Sequence, residues 1–124
     1  DITYLLDMAD NIPELVLDVI NIFKTQLPDF ENRFNSDLAN KDIESLKKTA
    51  HKAKSALCVM GINSLNEAIK YFDQKKVEEL EIAEFEIFVE KFNVICQKAI
   101  EELDQVVDAY KSLKDELNTD FKGN

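Results

Sequence analysis

The sequence has no Trp, two Gly, two Pro, two Cys and one His among its 124 residues. Each scarcity excludes something. Glycine takes positive φ most readily, and two of them cannot supply the hairpins of a sandwich or barrel. One His excludes a multi-histidine metal site, and two Cys exclude a Cys₄ zinc site. No metal site is expected. Cys58 and Cys96 both fall in helical-looking stretches, and they read as buried, reduced thiols rather than a disulfide framework. No run of about 18 apolar residues occurs, so no membrane span is expected. Nor is a basic-then-apolar leader expected. Basic residues number 15 against 25 acidic, a net of −10. That weighs against nucleic acid as a partner, because phosphate binding needs a net basic face. What is present is 45% hydrophobic and 32% charged residues. This composition suits one cytoplasmic globular domain over residues 1–124, expected to be a monomer with its own core.

The apolar residues recur at helical spacing throughout, and no strand-like alternation appears. Residues 1–10 carry Ile2, Leu5, Leu6 and Met8, which predicts a short opening helix. Asn11 reads as an N-cap, with Pro13 and Glu14 in the first turn that follows. Leu15, Val16, Val19, Ile20, Phe23, Leu27, Phe30, Phe34 and Leu38 then mark one amphipathic helix to about residue 39. Pro28 lies inside it and predicts a kink. After the break at Ala39-Asn40-Lys41, Asp42 is the expected cap of the next helix. Ile43, Leu46, Ala50, Ala53, Leu57 and Met60 form its narrow seam. Gly61 is the expected C′ residue. Ser64-Leu65-Asn66-Glu67 has the form of a capping box for a helix bearing Leu65, Ala68, Ile69 and Phe72. Residues 77–82 read as a charged connection. The last helix begins near Ala83, with Phe85, Phe88, Phe92, Ile95, Ala99, Leu103, Val106, Tyr110, Leu113 and Leu117 on its stripe. At about 35 residues it would reach about 50 Å, so its end at 111–124 is expected to protrude, break or pack elsewhere. The expected architecture is an all-α, antiparallel four-helix bundle behind a short N-terminal helix.

Candidate chemistry centres on His51. On a wheel of about 100° per residue, Lys47, Lys48, Lys54 and Ser55 fall within about 60° of it, and Glu44 and Cys58 within about 20°. The seam of Leu46, Ala50, Ala53 and Leu57 lies opposite, so His51 is expected to point outward. Five of the 15 basic residues lie between Lys41 and Lys54, a local basic patch on an acidic chain. Two readings are open at this point. One is a solvated, lysine-rich face bearing an idle histidine. The other is nucleophilic attack on phosphorus by imidazole, with ammonium groups attracting the oxygens of the transferring phosphoryl group.

The segment Ala50-His51-Lys52-Ala53-Lys54-Ser55-Ala56-Leu57-Cys58-Val59-Met60-Gly61 resembles the signature of histidine-containing phosphotransfer (HPt) domains. That signature is His, Lys three residues on, Gly after the Lys, small residues, and Gly ten residues after the His. His51, Lys54 and Gly61 match, and Leu65 matches the apolar position beyond. Ser55 departs from the pattern, standing where the family usually has Gly.

The resemblance implies a phosphorelay intermediate of two-component signalling. His51 would accept a phosphoryl group on Nε2 from a receiver-domain aspartate and pass it to another receiver. Lys54 would face the phosphate, and Gly61 would be structural. Lys47, Lys48, Ser55 and Cys58 would belong to the partner-binding face. Such a domain is a phosphocarrier and not an enzyme with kinase activity. It has no cofactor of its own, and Mg²⁺ would arrive with the receiver. The expected partners are response-regulator receiver domains or a hybrid histidine kinase. Two alternatives stand beside this: a helical protein-interaction module that never carries phosphate, and a phosphotransfer domain cut from a larger histidine kinase. The dimerisation domain of a histidine kinase fits less well, because Lys52 follows the His and no Pro comes after it.

Overall fold

The computed structural model describes the backbone of residues 13–122 and the side chains of residues 14–112. The expected opening helix over 1–10 and the Asn11 cap lie outside the described residues. Among the described residues four α-helices follow one another: α1 (Pro13–Ala39), α2 (Ile43–Val59), α3 (Asn66–Gln74) and α4 (Ile82–Lys122), with a 3₁₀ turn, Val77–Glu79, before the last. No strand occurs among the described residues.

The apolar spacing of α1 becomes its buried side: Val16, Ile20, Phe23, Leu27 and Phe34 are in the core. Leu15, expected on that stripe, is instead 47% exposed. It sits one position off the row that faces the other helices, Val16 taking the inward place. Pro28 is exposed, and α1 is one element through it.

The α1–α2 junction is tied on both sides. Lys41 takes the left-handed conformation at φ 54°. Its N–H donates to the Leu38 carbonyl at 3.1 Å, and the Asp42 N–H donates to the Asp37 carbonyl at 2.9 Å. These two bonds satisfy carbonyls that the helix end leaves without partners. Asp42 also caps α2 as expected, accepting from the Ser45 N–H at 3.1 Å. The Ser45 hydroxyl in turn donates to Asp37 Oδ2 at 2.7 Å.

Along α2, Leu46, Thr49, Ala50, Ala53 and Leu57 are buried. The helix ends as expected at Gly61, φ 72°. The Ile62 N–H reaches back to the Leu57 carbonyl at 2.8 Å, and the Gly61 N–H to that of Cys58 at 3.0 Å. Only a residue that tolerates positive φ can close the helix this way.

The capping box expected at Ser64 does not form. Leu65 occupies the cap position with no side-chain bond. Leu65 is buried in the core. With the chain held there, the turn closes on the backbone instead, Asn66 N–H to the Asn63 carbonyl at 3.1 Å. Part of the charged connection is also structured, as the 3₁₀ turn.

Helix α1 packs on α2 and α4, and α2 packs on α3 and the 3₁₀ turn. Aromatic rings carry much of the core. Phe34 meets Phe92 and Phe88 edge-on at 5.1 and 5.9 Å between centroids, and Phe30 meets Phe92 at 6.3 Å. Lys24 pairs with Asp104 farther along. Positions descend along α1 as they rise along α4. Helix α4 has 41 residues and continues to Lys122 without a break. It spans about 60 Å, against about 25 Å for α2.

The expected stripe of α4 is buried at Phe85, Phe88, Phe92 and Leu103. Ile95, Ala99, Val106 and Tyr110 are half-buried. The side chains of Leu113 and Leu117 lie outside the described residues. Cys96 is buried as expected, and desolvation pushes its thiol up to about 12, so it is inert. Cys58 is exposed, contrary to its reading as a buried thiol. It lies one position beyond Leu57, about 100° round the helix from the seam.

Candidate functional site

His51 sits in the middle of α2, eight residues from each end of the helix. Its neighbours Ala50 and Ala53 are fully buried, which fixes the rotation of the helix. His51 therefore faces outward, its side chain 66% exposed. The expectation from the wheel is met for Lys48, Lys54, Ser55 and Cys58, all exposed.

Among the described residues the ring has one hydrogen-bond partner. Nδ1 of His51 lies 2.9 Å from Oδ2 of Asp73, at the end of α3. A carboxylate can only accept, so the proton between them is on Nδ1. In the neutral ring Nε2 then carries the lone pair. Nε2 has no hydrogen-bond partner among the described residues.

No motif in the sequence points to Asp73. It is 22 positions from His51 and on another helix. No spacing rule joins two such residues, and only the packing of α3 on α2 brings them together. The short helix has a strongly one-sided pattern, with Ile69 and Phe72 inward. That much of the signal was available, since it turns the residue after Phe72 toward the helix edge.

His51 lies in a surface depression of about 430 Å³ lined by Glu44, Lys47, Lys48, Lys52, Asp73 and Val77. Lys47 was expected on the partner-binding face. It is half-buried, and its ammonium donates to the Lys75 carbonyl beyond the end of α3. The bond satisfies a terminal carbonyl and straps α2 to α3 beside the imidazole. Lys48 pairs with Glu44 at 3.3 Å, an exposed pair one turn apart that contributes little to stability.

Ser55 belongs to a second concavity of about 350 Å³ between α1 and α2, whose apolar walls include Val19, Ile22, Phe30 and Val59. Ile22 is 57% exposed there. Lys52 borders both hollows and was not assigned to the site from sequence. Lys54 and Cys58 line neither, although both are exposed on α2. Gly61 is at the helix end, away from the ring and in the structural position expected of it.

The arrangement offers an exposed, oriented nucleophilic nitrogen beside several ammonium groups. No group of three or more His, Cys, Asp or Glu side chains able to hold a metal ion occurs among the described residues. No helix among them is long and apolar enough to cross a membrane. No family model matches the chain, and neither a curated protein nor a solved structure matches it.

Proposed function

We propose that this chain is a phosphocarrier: His51 accepts a phosphoryl group on Nε2 from a receiver-domain aspartyl phosphate and returns it to another receiver. The observation that carries this reading is the hydrogen bond from His51 Nδ1–H to Asp73, on a ring that is otherwise exposed. It leaves Nε2 as the reactive nitrogen and turns it toward solvent, where a partner's phosphate can approach in line.

Lys48 and Lys52 line the depression with His51 and supply positive charge near the oxygens of the transferring group, where charge is spread over three positions, and Lys54, exposed one turn further along α2, is the phosphate-facing cation of the motif. The apolar hollow beside Ser55 gives a partner surface something to bury next to the imidazole. The motif of His51, Lys54 and Gly61, on a helix of this burial pattern, is what links the chain to HPt domains. The opposite progression of the α1 and α4 contacts supports an antiparallel bundle. On this reading the chain has no kinase activity and no cofactor of its own, and Mg²⁺ comes with the receiver in the cytoplasm.

The test is transfer from a phosphorylated receiver domain with Mg²⁺. The protein is expected to gain an acid-labile, base-stable label. His51→Gln is expected to lose the label and keep its helical circular dichroism. Label retained in His51→Gln would overturn the assignment.

A further inference from the structure

We propose that Arg33 and Lys52 form a subsite for a carboxylate on the partner, so that a receiver must bring an acidic side chain to the charged end of the hollow between α1 and α2. The inference rests on the reading that His51 carries the phosphoryl group. It adds which receivers can reach that group.

Another hollow, of about 660 Å³, continues the apolar one along α1. Gln26, Phe30 and Lys52 line both, and Asp29, Asn32 and Arg33 line the continuation alone. Val19, Ile22, Gln26, Phe30 and Arg33 fall on one face of α1, within about 40° of one another's mean direction. Along that face the trough changes character, apolar at Ile22 and charged at Arg33. Lys52 follows His51 in the chain and borders this trough as well as the depression that holds the imidazole. A partner seated over His51 therefore reaches the charged end too.

The charges of that end are unspent. Helix α1 carries two cations, Lys24 and Arg33. Lys24 is taken by Asp104. Arg33, the one arginine of the sequence, is exposed. Neither it nor the exposed Lys52 has an ion pair or hydrogen bond among the described residues. Asp29 stands one turn before Arg33 and lines the same hollow without pairing with it. Even when formed, such a pair on a helix surface contributes only about 0.2–0.5 kcal/mol, so it would not keep the guanidinium from a better partner.

Two cations against one carboxylate leave the hollow with a single positive charge. One side-chain carboxylate neutralises it, and the guanidinium fork accepts both carboxylate oxygens in parallel bonds. A phosphate dianion would overshoot that charge and face Asp29, so the phosphoryl group fits His51 and its lysines better than this end. The chain as a whole has a net charge of −10 and repels acidic surfaces. Arg33 and Lys52 give an acidic side chain a place beside His51, and they repel a receiver that presents Lys or Arg there.

The experiment follows transfer from a phosphorylated receiver domain with Mg²⁺ over a range of receiver concentrations. It compares the parent with Arg33→Ala, Arg33→Lys and Arg33→Glu, each of which should keep the parent's helical circular dichroism. Arg33→Ala should raise KM about 10-fold at low salt and leave kcat unchanged, the scale of one charged contact at an interface. Arg33→Lys should lose less and Arg33→Glu more. The salt dependence of KM should flatten in Arg33→Ala. Phosphoramidate brings no carboxylate and should label His51 at the parent's rate in all three. Changing the receiver's exposed Asp and Glu residues to Lys one at a time should find one change that weakens transfer to the parent and restores it to Arg33→Glu. Parent-like KM and salt dependence in Arg33→Glu would overturn the inference while leaving His51 as carrier. A loss that no such change in the receiver restores would overturn it equally. A parent that neither phosphoramidate nor a phosphorylated receiver can label would overturn the carrier reading itself, and this inference with it.

Discussion

Phe72 stacks on Phe85 with 4.2 Å between ring centroids and 20° between planes. The contact joins α3 to the start of α4, and Asp73 is the next residue along the chain. Its carboxylate reaches His51 because the ring before it is seated on the core. Phe72 also meets Phe88 edge-on at 5.4 Å, so one side chain is held from two sides. Phe72→Ala is expected to lose about 3–5 kcal/mol of stability, the usual range for a buried aromatic. The His51–Asp73 hydrogen bond should weaken with it. Urea unfolding gives the first quantity and the imidazole ¹⁵N shifts the second. A neutral substitution would mean that α3 is seated by something else.

Lys41 holds a left-handed backbone that glycine adopts without steric cost. The bonds it completes are backbone bonds, and the substitution keeps them. Lys41→Gly should therefore raise stability by about 1 kcal/mol, the scale of the left-handed penalty. A lower melting temperature would mean that the lysine side chain or chain stiffness outweighs the strain.

Much of the fold was legible in the sequence. The seam at Leu46, Ala50, Ala53 and Leu57 sets the rotation of α2, and that rotation alone turns His51 outward. Asp42 and Gly61 marked both ends of that helix, because capping chemistry is local. Ser64 misled for the same reason: its pattern is local, but the burial of Leu65 is not, and the tertiary contact decided the turn. Asp73 was illegible because its role arises from two helices meeting. Lys47 had the right position on the wheel. Its capture by the Lys75 carbonyl depends on where α3 stops, which no wheel of α2 contains.

Tyr71 and Glu84 share a hydrogen bond of 2.6 Å that ties α3 to the first turn of α4. Its donor must be protonated and its acceptor ionised. The tyrosine hydroxyl and the Glu81 N–H hold the Glu84 carboxyl below its ordinary value of 4.5. The bond to Glu84, with smaller contributions from desolvation and nearby carboxylates, holds Tyr71 above its ordinary value of 10.0. A lowered acid contributes stability above its unfolded value and loses it as pH falls through its folded value. A raised Tyr contributes below its unfolded value and loses it as pH rises through its folded one. The stability difference between parent and Tyr71→Phe should thus be flat from pH 4.5 to pH 10.0 and shrink beyond either end. The pair is at the surface, so the difference should be small. A difference growing toward acid would contradict the bond.

Ser55 stands beside the apolar hollow between α1 and α2. If a receiver seats there, size should matter more than polarity. Ser55→Gly should transfer at least as well as the parent, despite a helix penalty of up to about 1 kcal/mol. Ser55→Arg should block transfer from a receiver while phosphoramidate still labels His51. Normal transfer from a receiver to Ser55→Arg would place the docking face elsewhere.

The most direct test of the central claim is where the phosphorus goes. Protein labelled with ¹⁵N in its one histidine and phosphorylated by a receiver can be read by the coupling between ³¹P and the ring nitrogens. The expected result is a coupling to Nε2 of His51, with Nδ1 still carrying its proton opposite Asp73. Phosphorus bonded to Nδ1, or no phosphorus on the ring at all, would contradict it.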